Sequence, residues 1–277
     1  MYGVLAQQKF PKGICGLAEI LLAMMTFFIT GAWDCSPAMA QEQAPTVLIT
    51  GSNRGIGFEF VRQYATKGWN VIATCRHPEI AEDLKTLAAQ YPNVTVERLD
   101  VLDHAMIDAL AEKYESTPID VLLSNAGIDG GDDNQIFGNI NYDVFNDVMW
   151  TNALAPLKIA EAFIDHVAMS DQKKIMTVTS FMGSITRNRG GMYFYRSSKT
   201  AANQLLRTLA TDVADRGVIV GMFNPGAIAT GMTKDSKIPH PLLPPKVGVS
   251  GMIELIDNFT LEMTGSFFQY TGEEIPW

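Results

Sequence analysis

Tyr195 and Lys199 lie four residues apart in Tyr-Arg-Ser-Ser-Lys, within a segment of helical periodicity. On a helix that spacing stacks a phenol and an ammonium on one face, about one turn apart. A free tyrosine titrates near pH ~10 and exchanges protons poorly at neutrality. A fixed positive charge beside it favours phenolate and draws the pKa toward the working range. On a solvated helix face the same pair would do nothing, so its meaning rests on the neighbours that the fold supplies. Ser180, closing the run Val-Thr-Ser, offers a hydroxyl, Ser184 offers another, and Asn152 in Thr-Asn-Ala-Leu-Ala-Pro offers an amide. A proton donor with hydrogen-bond donors around it suits a reaction that builds charge on a carbonyl oxygen.

These groups need elements to carry them, and from residue 46 short apolar runs alternate with helix-period segments. Strands are expected at Thr46–Thr50, Asn70–Cys75, Val94–Leu99, Ile119–Ser124, Lys174–Thr179 and Val218–Phe223, with a last edge strand over Gly265–Tyr270. Helices are expected from Phe58 to Lys67, Pro78 to Gln90, Ala105 to Tyr114, Tyr142 to Val167 (bent at Pro156) and Phe194 to Asp215. Such alternation, with β-branched strands, predicts an α/β fold of Rossmann type: a doubly wound parallel sheet of about seven strands, covered by helices on both faces. Residues 41–277 read as one domain, and Pro239–Pro245 as an ordered loop. The stretch from Gly226 to Val249 is expected to cover a pocket, with Met232, Leu242 and Leu243 as apolar lining.

The first strand runs into Thr50-Gly51-Ser52-Asn53-Arg54-Gly55-Ile56-Gly57, where a helix opens. A turn of this kind presents backbone N–H groups and the positive helix end to a pyrophosphate. Gly51 permits the tight turn, Gly55 the approach of phosphates, and Gly57 close helix–strand packing. The end of the second strand, where a carboxylate typically holds a free ribose, carries Cys75 and then Arg76. With Arg54 in the turn, two guanidiniums and no acid point to a 2′-phosphate, hence NADP(H), with NAD(H) as the alternative.

The Gly-x-x-x-Gly-x-Gly spacing, Ser124-Asn-Ala-Gly127, Tyr195-x-x-x-Lys199 and Asn224-Pro-Gly226 occur in that order. Together they resemble the short-chain dehydrogenase/reductase family over residues 46–277. The resemblance implies that Tyr195 is the general acid/base, that Lys199 lowers its pKa and holds the nicotinamide ribose, and that Ser180 steadies the substrate oxygen. Asn152 would maintain a water-linked proton relay to Lys199. Asp100 would bind the adenine amino group, with Val101 beside it, while Asn125, Ala126 and Gly127 would line the adenosine side. Asn53, Ile56, Pro225, Gly226 and Ile228 complete the implied cofactor contacts. The usual serine-to-tyrosine distance of thirteen leads from Ser180 to Tyr193, but Tyr193 has Ser197 four residues on and lacks the lysine. A two-residue insertion within Ile185–Gly191 leaves Ser180 and Tyr195 as partners, with Tyr193 either lining the substrate pocket or simply packed. Gly183-Ser-Ile, Gly190–Lys199 and the ending Thr264–Trp277 resemble the C-factor and sniffer-like carbonyl reductases. That branch implies an NADPH-dependent carbonyl reductase, a small-molecule substrate and a homo-oligomer; its alternative is a dinucleotide-binding signalling protein of C-factor type.

The 277 residues are 47% hydrophobic and 18% charged, with a formal net charge of −9. An acidic domain without a basic stripe argues against nucleic acid as a partner. Histidines 77, 104, 166 and 240 show no metal-ligand spacing, so no metal is expected. Arg187 and Arg189 could attract an anion at the pocket mouth or belong to a solvated loop. Residues 1–40 have Lys9 and Lys12, an apolar run Ile20–Ile29, and Ala38-Met-Ala40, the pattern of a secretory signal and hence an exported or periplasmic protein. Translation from Met39 would instead give a cytoplasmic protein. Glu19 shortens the apolar run below the ~20 residues of a membrane span, and without Cys15 and Cys35 only Cys75 remains, excluding an intrachain disulfide.

Overall fold

A computed structural model of the protein describes residues 44–234 and 241–277; the expected signal segment, residues 1–40, lies outside them, as do Pro239 and His240. Seven strands form one sheet: β1 (Thr46–Thr50), β2 (Asn70–Cys75), β3 (Val94–Arg98), β4 (Val121–Ser124), β5 (Lys174–Val178), β6 (Ile219–Asn224) and β7 (Phe267–Gln269). They lie in the order β3-β2-β1-β4-β5-β6-β7, and every pairing is parallel. The fold is the expected doubly wound Rossmann-type arrangement. β1 shows why: all five of its residues are buried, with Val47 and Ile49 facing one core and Leu48 the other. A strand covered on both faces needs a continuous apolar run rather than alternation.

One core receives Phe60 and Tyr64 of α1 (Gly55–Thr66), Leu84 and Leu87 of α2 (Glu82–Gln90), and Met252 and Ile256 of a later helix. The other receives Ile107 and Leu110 of α3 (His104–Lys113), together with residues of two later helices, Ile159 and Phe163 of one and Leu206 and Ala210 of the other. Chain direction reverses its spread between β2 and β4, the two neighbours of β1. The carboxyl ends on either side of that switch point are where an open α/β sheet offers a crevice to a ligand.

The expected helix from Tyr142 to Val167 is three consecutive segments: α4 (Asp143–Met149), a π-turn (Trp150–Leu154) and α5 (Ala155–Ala168). Pro156 follows the π-turn, in the first turn of α5, so the irregularity precedes the proline. The segment expected as helix from Pro78 opens as a single 3₁₀ turn, Pro78–Ile80, ahead of α2. α6 spans Tyr193–Asp212, one residue earlier than expected at its start. Two elements escape the sequence patterns. A small hairpin pairs Gln135–Ile136 with Asn139–Ile140, and α7 (Pro245–Asn258) takes the last five residues of the expected loop and runs on through a stretch to which the patterns assigned no element. Before α7, Leu243 donates to the Ala227 carbonyl at 2.7 Å and accepts from Ala229 at 2.8 Å, which ties the proline-rich stretch to the segment after β6. Among the described residues no helix is long and apolar enough to cross a membrane.

Lys174 anchors α7. Its buried ammonium, at the start of β5, donates to the carbonyls of Ile256 (2.6 Å) and Asp257 (3.2 Å) in the last turn of that helix. Burial draws its pKa down, opposed by Asp257 and Asp120. Lys174→Met, which leaves both carbonyls without this donor, is expected to cost about 1.5–3 kcal/mol, read as a lower urea midpoint at unchanged m-value.

Candidate active site

The glycine turn between β1 and α1 is held from behind. Gly51 has φ +68°, and a Cβ there would lie 2.9 Å from the Ala126 Cα, so the turn rests directly on the chain after β4. Asn125 donates through Nδ2 to the carbonyls of Thr50 (3.0 Å) and Gly51 (3.1 Å), while the backbone N–H groups of Asn125 and Ala126 donate to Thr50 Oγ1. Asn125 therefore braces the turn. A Cβ on Gly57 would sit 2.1 Å from the Gly51 carbonyl oxygen and 2.5 Å from Asn125 Nδ2, and Gly55 has φ +59°. α1 begins at Gly55 with an extended Arg54 before it, no side-chain cap and no acid in its first turn. First-turn donors with no side chain across them, at the positive end of a helix, fit a dinucleotide pyrophosphate. Asn53 is exposed on the turn and Ile56 packs against the first core.

At the adenosine end, Cys75 is buried at the tip of β2. Arg54 and Arg76 are exposed, and neither pairs with a carboxylate among the described residues. Two free guanidiniums beside a turn without an acid fit a phosphate on the ribose. Val101 is buried. Asp100 accepts from the Leu102 N–H at 3.0 Å and walls a cleft of about 620 Å³ together with Asp103, His104, Asp147 and Trp150. Past β6, Pro225 is buried, and Gly226 has φ +84°, with the Tyr270 ring 2.9 Å from where a Cβ would stand. The Ile228 side chain packs on α7, its Cδ1 lying 2.4 Å from the position of a Cβ on Gly248. Its carbonyl accepts from Thr233. Thr230, which the sequence motifs did not single out, stands 3.4 Å from the Cβ position of Gly55 and brings this loop over the turn.

The four expected catalytic residues converge. Asn152 lies in the π-turn and is 1% exposed. Its Oδ1 accepts from the Ile128 N–H (2.9 Å), and its Nδ2 donates to the Ile128 carbonyl (2.7 Å) and to Ser198 Oγ (2.9 Å). It thus clips the loop after β4 to α6. Gly127 is where two of these groups meet: a Cβ there would stand 3.1 Å from Asn152 Oδ1 and 3.6 Å from Lys199 Nζ. Lys199 is 4% exposed, donates to the Val178 carbonyl at 3.1 Å, and lies 5.7 Å from the centre of the Tyr195 ring. Ser180 follows β5, and its hydroxyl accepts from the Met182 N–H at 3.1 Å.

Burial governs the electrostatics. It pushes the Tyr195 phenol up to about 12, against a hydrogen bond with Ser180 that lowers it and with Asp129 adding to the rise. Burial likewise takes the Lys199 ammonium down to about 8. The expected lowering of the tyrosine by the lysine is corrected accordingly: removing phenolate from water outweighs an ammonium beyond hydrogen-bond contact.

Several residues that the sequence left open now have places. A Cβ on Gly183 would lie 2.9 Å from Asn203 Nδ2 and 3.0 Å from the Lys199 backbone, so the turn after Ser180 presses directly on α6. Thr200 Oγ1 donates to the Gly183 carbonyl across that contact. Ser184 is buried and donates to the Pro276 carbonyl at 2.5 Å, which removes it as the site hydroxyl. Tyr193 is 44% exposed and stands 6.3 Å, ring to ring, from Phe137, beside a cleft of about 390 Å³. Arg187 pairs with Glu273 at 3.4 Å and lies over the Phe181 ring, whereas Arg189 is exposed. Among the described residues no group of three or more His, Cys, Asp or Glu side chains is placed to hold a metal.

Residues 45–239 match the short chain dehydrogenase family. A 1-hydroxy-2-glutathionyl-2-methyl-3-butene dehydrogenase of Rhodococcus sp. (strain AD45) is 34% identical over 236 residues, covering 84% of this chain and 99% of that protein. The C-signal protein of Myxococcus xanthus is 35% identical over 170 residues, covering 61% of this chain and 99% of its own. Among solved structures, an NADPH-bound carbonyl reductase from chicken fatty liver superposes with a TM-score of 0.78 at 29% identity, covering 85% of this chain and 100% of that one. The chain belongs to the short-chain dehydrogenase/reductase family and is an oxidoreductase.

The tightest of these contacts gives a direct test. Gly57→Ala drives a methyl group into the Gly51 carbonyl and is expected to weaken NADPH binding at least ~100-fold, since the turn must open to admit it. Quenching of intrinsic tryptophan fluorescence on NADPH titration measures the loss.

Proposed function

We propose that the protein reduces the carbonyl group of a small organic molecule to an alcohol, using NADPH. The observation that carries this reading is the convergence of Ser180, Tyr195 and a buried Lys199 next to Gly127, beside an uncapped glycine turn with two unpaired arginines. Arg54 and Arg76 hold the 2′-phosphate, the first turn of α1 the pyrophosphate, and Lys199 the nicotinamide ribose. The NADPH in the chicken carbonyl reductase supports this choice. Bound there, the dihydronicotinamide supplies the hydride. The chain supplies the rest. Ser180 donates to the substrate oxygen, Tyr195 gives that oxygen its proton, and Lys199 offsets the negative charge left on the phenol. Asn152 keeps the β4 loop against Lys199.

Tyr195 is held in its protonated, donor form at neutral pH, and its hydrogen bond with Ser180 works against the rise that burial causes. A role of C-signal type, in which the dinucleotide is only sensed, would require the glycine turn and the arginines but no buried ammonium beside a phenol and a serine.

NADPH oxidation measured with a panel of aldehydes and ketones tests the activity. Turnover with NADPH preferred over NADH is expected, and Tyr195→Phe is expected to remove at least ~10³-fold of it while leaving NADPH affinity intact. No turnover on any member, despite tight NADPH binding, would shift the reading to the sensor. Lys199, lowered to about 8, is charged at pH 7 and loses its proton as the pH rises through that value. Carbonyl-reduction kcat/KM should therefore be level from pH 6 to 7 and fall above about 8.

A further inference from the structure

α6 carries both Tyr195 and Lys199, yet it begins without a cap of its own. Its N-cap, Met192, has φ +48° and makes no side-chain hydrogen bond to the helix. Gly190 and Gly191 before it also have positive φ, so three successive left-handed residues swing the chain sharply into the helix. The N–H groups of the second and third helical residues, usually satisfied by a Ser, Thr, Asp or Asn at the cap, are those of Phe194 and Tyr195. Both donate to one distant atom: Gln135 Oε1, at 2.8 Å from Phe194 N and 3.1 Å from Tyr195 N. Gln135 is 2% exposed. Its other end is equally engaged, Nε2 donating to the carbonyls of Asp129 (2.7 Å) and Gly131 (3.1 Å).

We propose that Gln135 is a positioning residue for catalysis: it caps α6 from across the cleft and thereby sets the height of Tyr195 against the β4 loop. The chain of contacts is short. Asn152 holds Ile128, the next residues Asp129 and Gly131 hold Gln135, and Gln135 holds the Tyr195 backbone. Gln135 also opens the hairpin whose turn carries the exposed Phe137 next to Tyr193. The same amide therefore joins the mouth of the 390 Å³ cleft to the proton donor. Asp129 contributes to the charge felt by Tyr195, so a slackened clamp would alter both the reach and the titration of the phenol.

This inference rests on the carbonyl-reductase reading, and its test has one arm independent of turnover. Gln135→Met keeps the length but removes donor and acceptor; Gln135→Glu keeps an acceptor for the two N–H groups, beside the positive helix end, and removes the donor. Backbone hydrogen exchange in the full chain should accelerate at least ~10-fold at Phe194 and Tyr195 in the Met variant and stay near wild type in the Glu variant. With the best carbonyl substrate, Gln135→Met should lower kcat ~10- to 100-fold with NADPH Kd within twofold. Gln135→Glu should restore most of that kcat at neutral pH while moving the Tyr195 titration upward. Unchanged exchange at these two amides overturns the clamp. A kcat within twofold of wild type in the Met variant overturns its role in catalysis. So does a loss of kcat matched by loss of NADPH affinity and not recovered by Glu, which marks general damage to the fold. A wild-type chain that turns over no carbonyl defeats the reductase reading, and exchange still decides the clamp.

Discussion

Burying an ammonium is the constraint around which this site is built. Lys199 is withdrawn from water with the Val178 carbonyl as its hydrogen-bond acceptor, a costly arrangement that the fold must offset. The strand end supplies the acceptor, Gly127 supplies room, and Asn152 holds the loop that walls the pocket. The turn after Ser180 closes the remaining side because Gly183 allows backbone to touch backbone. Each neighbour is small, apolar or already hydrogen-bonded, so the charge stays available for a reacting group. The phenol alongside is half-buried as a residue, yet its hydroxyl is poorly solvated, and the two groups are driven in opposite senses, one up and one down. Exclusion of water, more than mutual attraction, sets their working states.

The sheet explains how residues so far apart in sequence come together. The glycine turn, the Asn125–Gly127 segment, Ser180 and the Asn224–Gly226 segment follow β1, β4, β5 and β6, and all those strands are parallel. Their carboxyl ends therefore open on one edge, and every loop that could carry chemistry is delivered to the same side. The amino ends do mechanical work instead. Asp120, just before β4, accepts from the Thr46 N–H at 2.8 Å, and Lys174 closes α7.

Most of this was legible because its signals are local. Buried parallel strands announce themselves as unbroken β-branched runs, and glycines at fixed intervals after the first strand describe a turn that few other sequences can make. Tyr195 and Lys199 could be paired from helical spacing alone. What escaped depends on distance or on solvent. The pair Pro244-Pro245 suggested a loop, although a proline in the first turn also suits the start of a helix. The cap supplied by Gln135 spans about sixty residues of sequence, beyond any periodicity. The titration of Tyr195 went the other way from the spacing argument because helical spacing reports a neighbour's charge and says nothing of how much water the fold removes. Ser184 differed from Ser180 only through its bond to Pro276, a contact across 92 residues.

The π-turn at Trp150–Leu154 has a geometric meaning beyond holding Asn152. An α-helix advances about 100° per residue, and a π-turn inserts one extra residue into that rotation, so the helices on either side are out of phase by roughly that angle. α4 faces α6, whereas α5 turns its apolar side to α3, the sheet and the far part of α6. A single uninterrupted helix would have one stripe to offer both partners. The inserted residue works as a phase shifter, letting one rod of chain serve two differently oriented surfaces, with the polar seam between them left for the Asn152 amide.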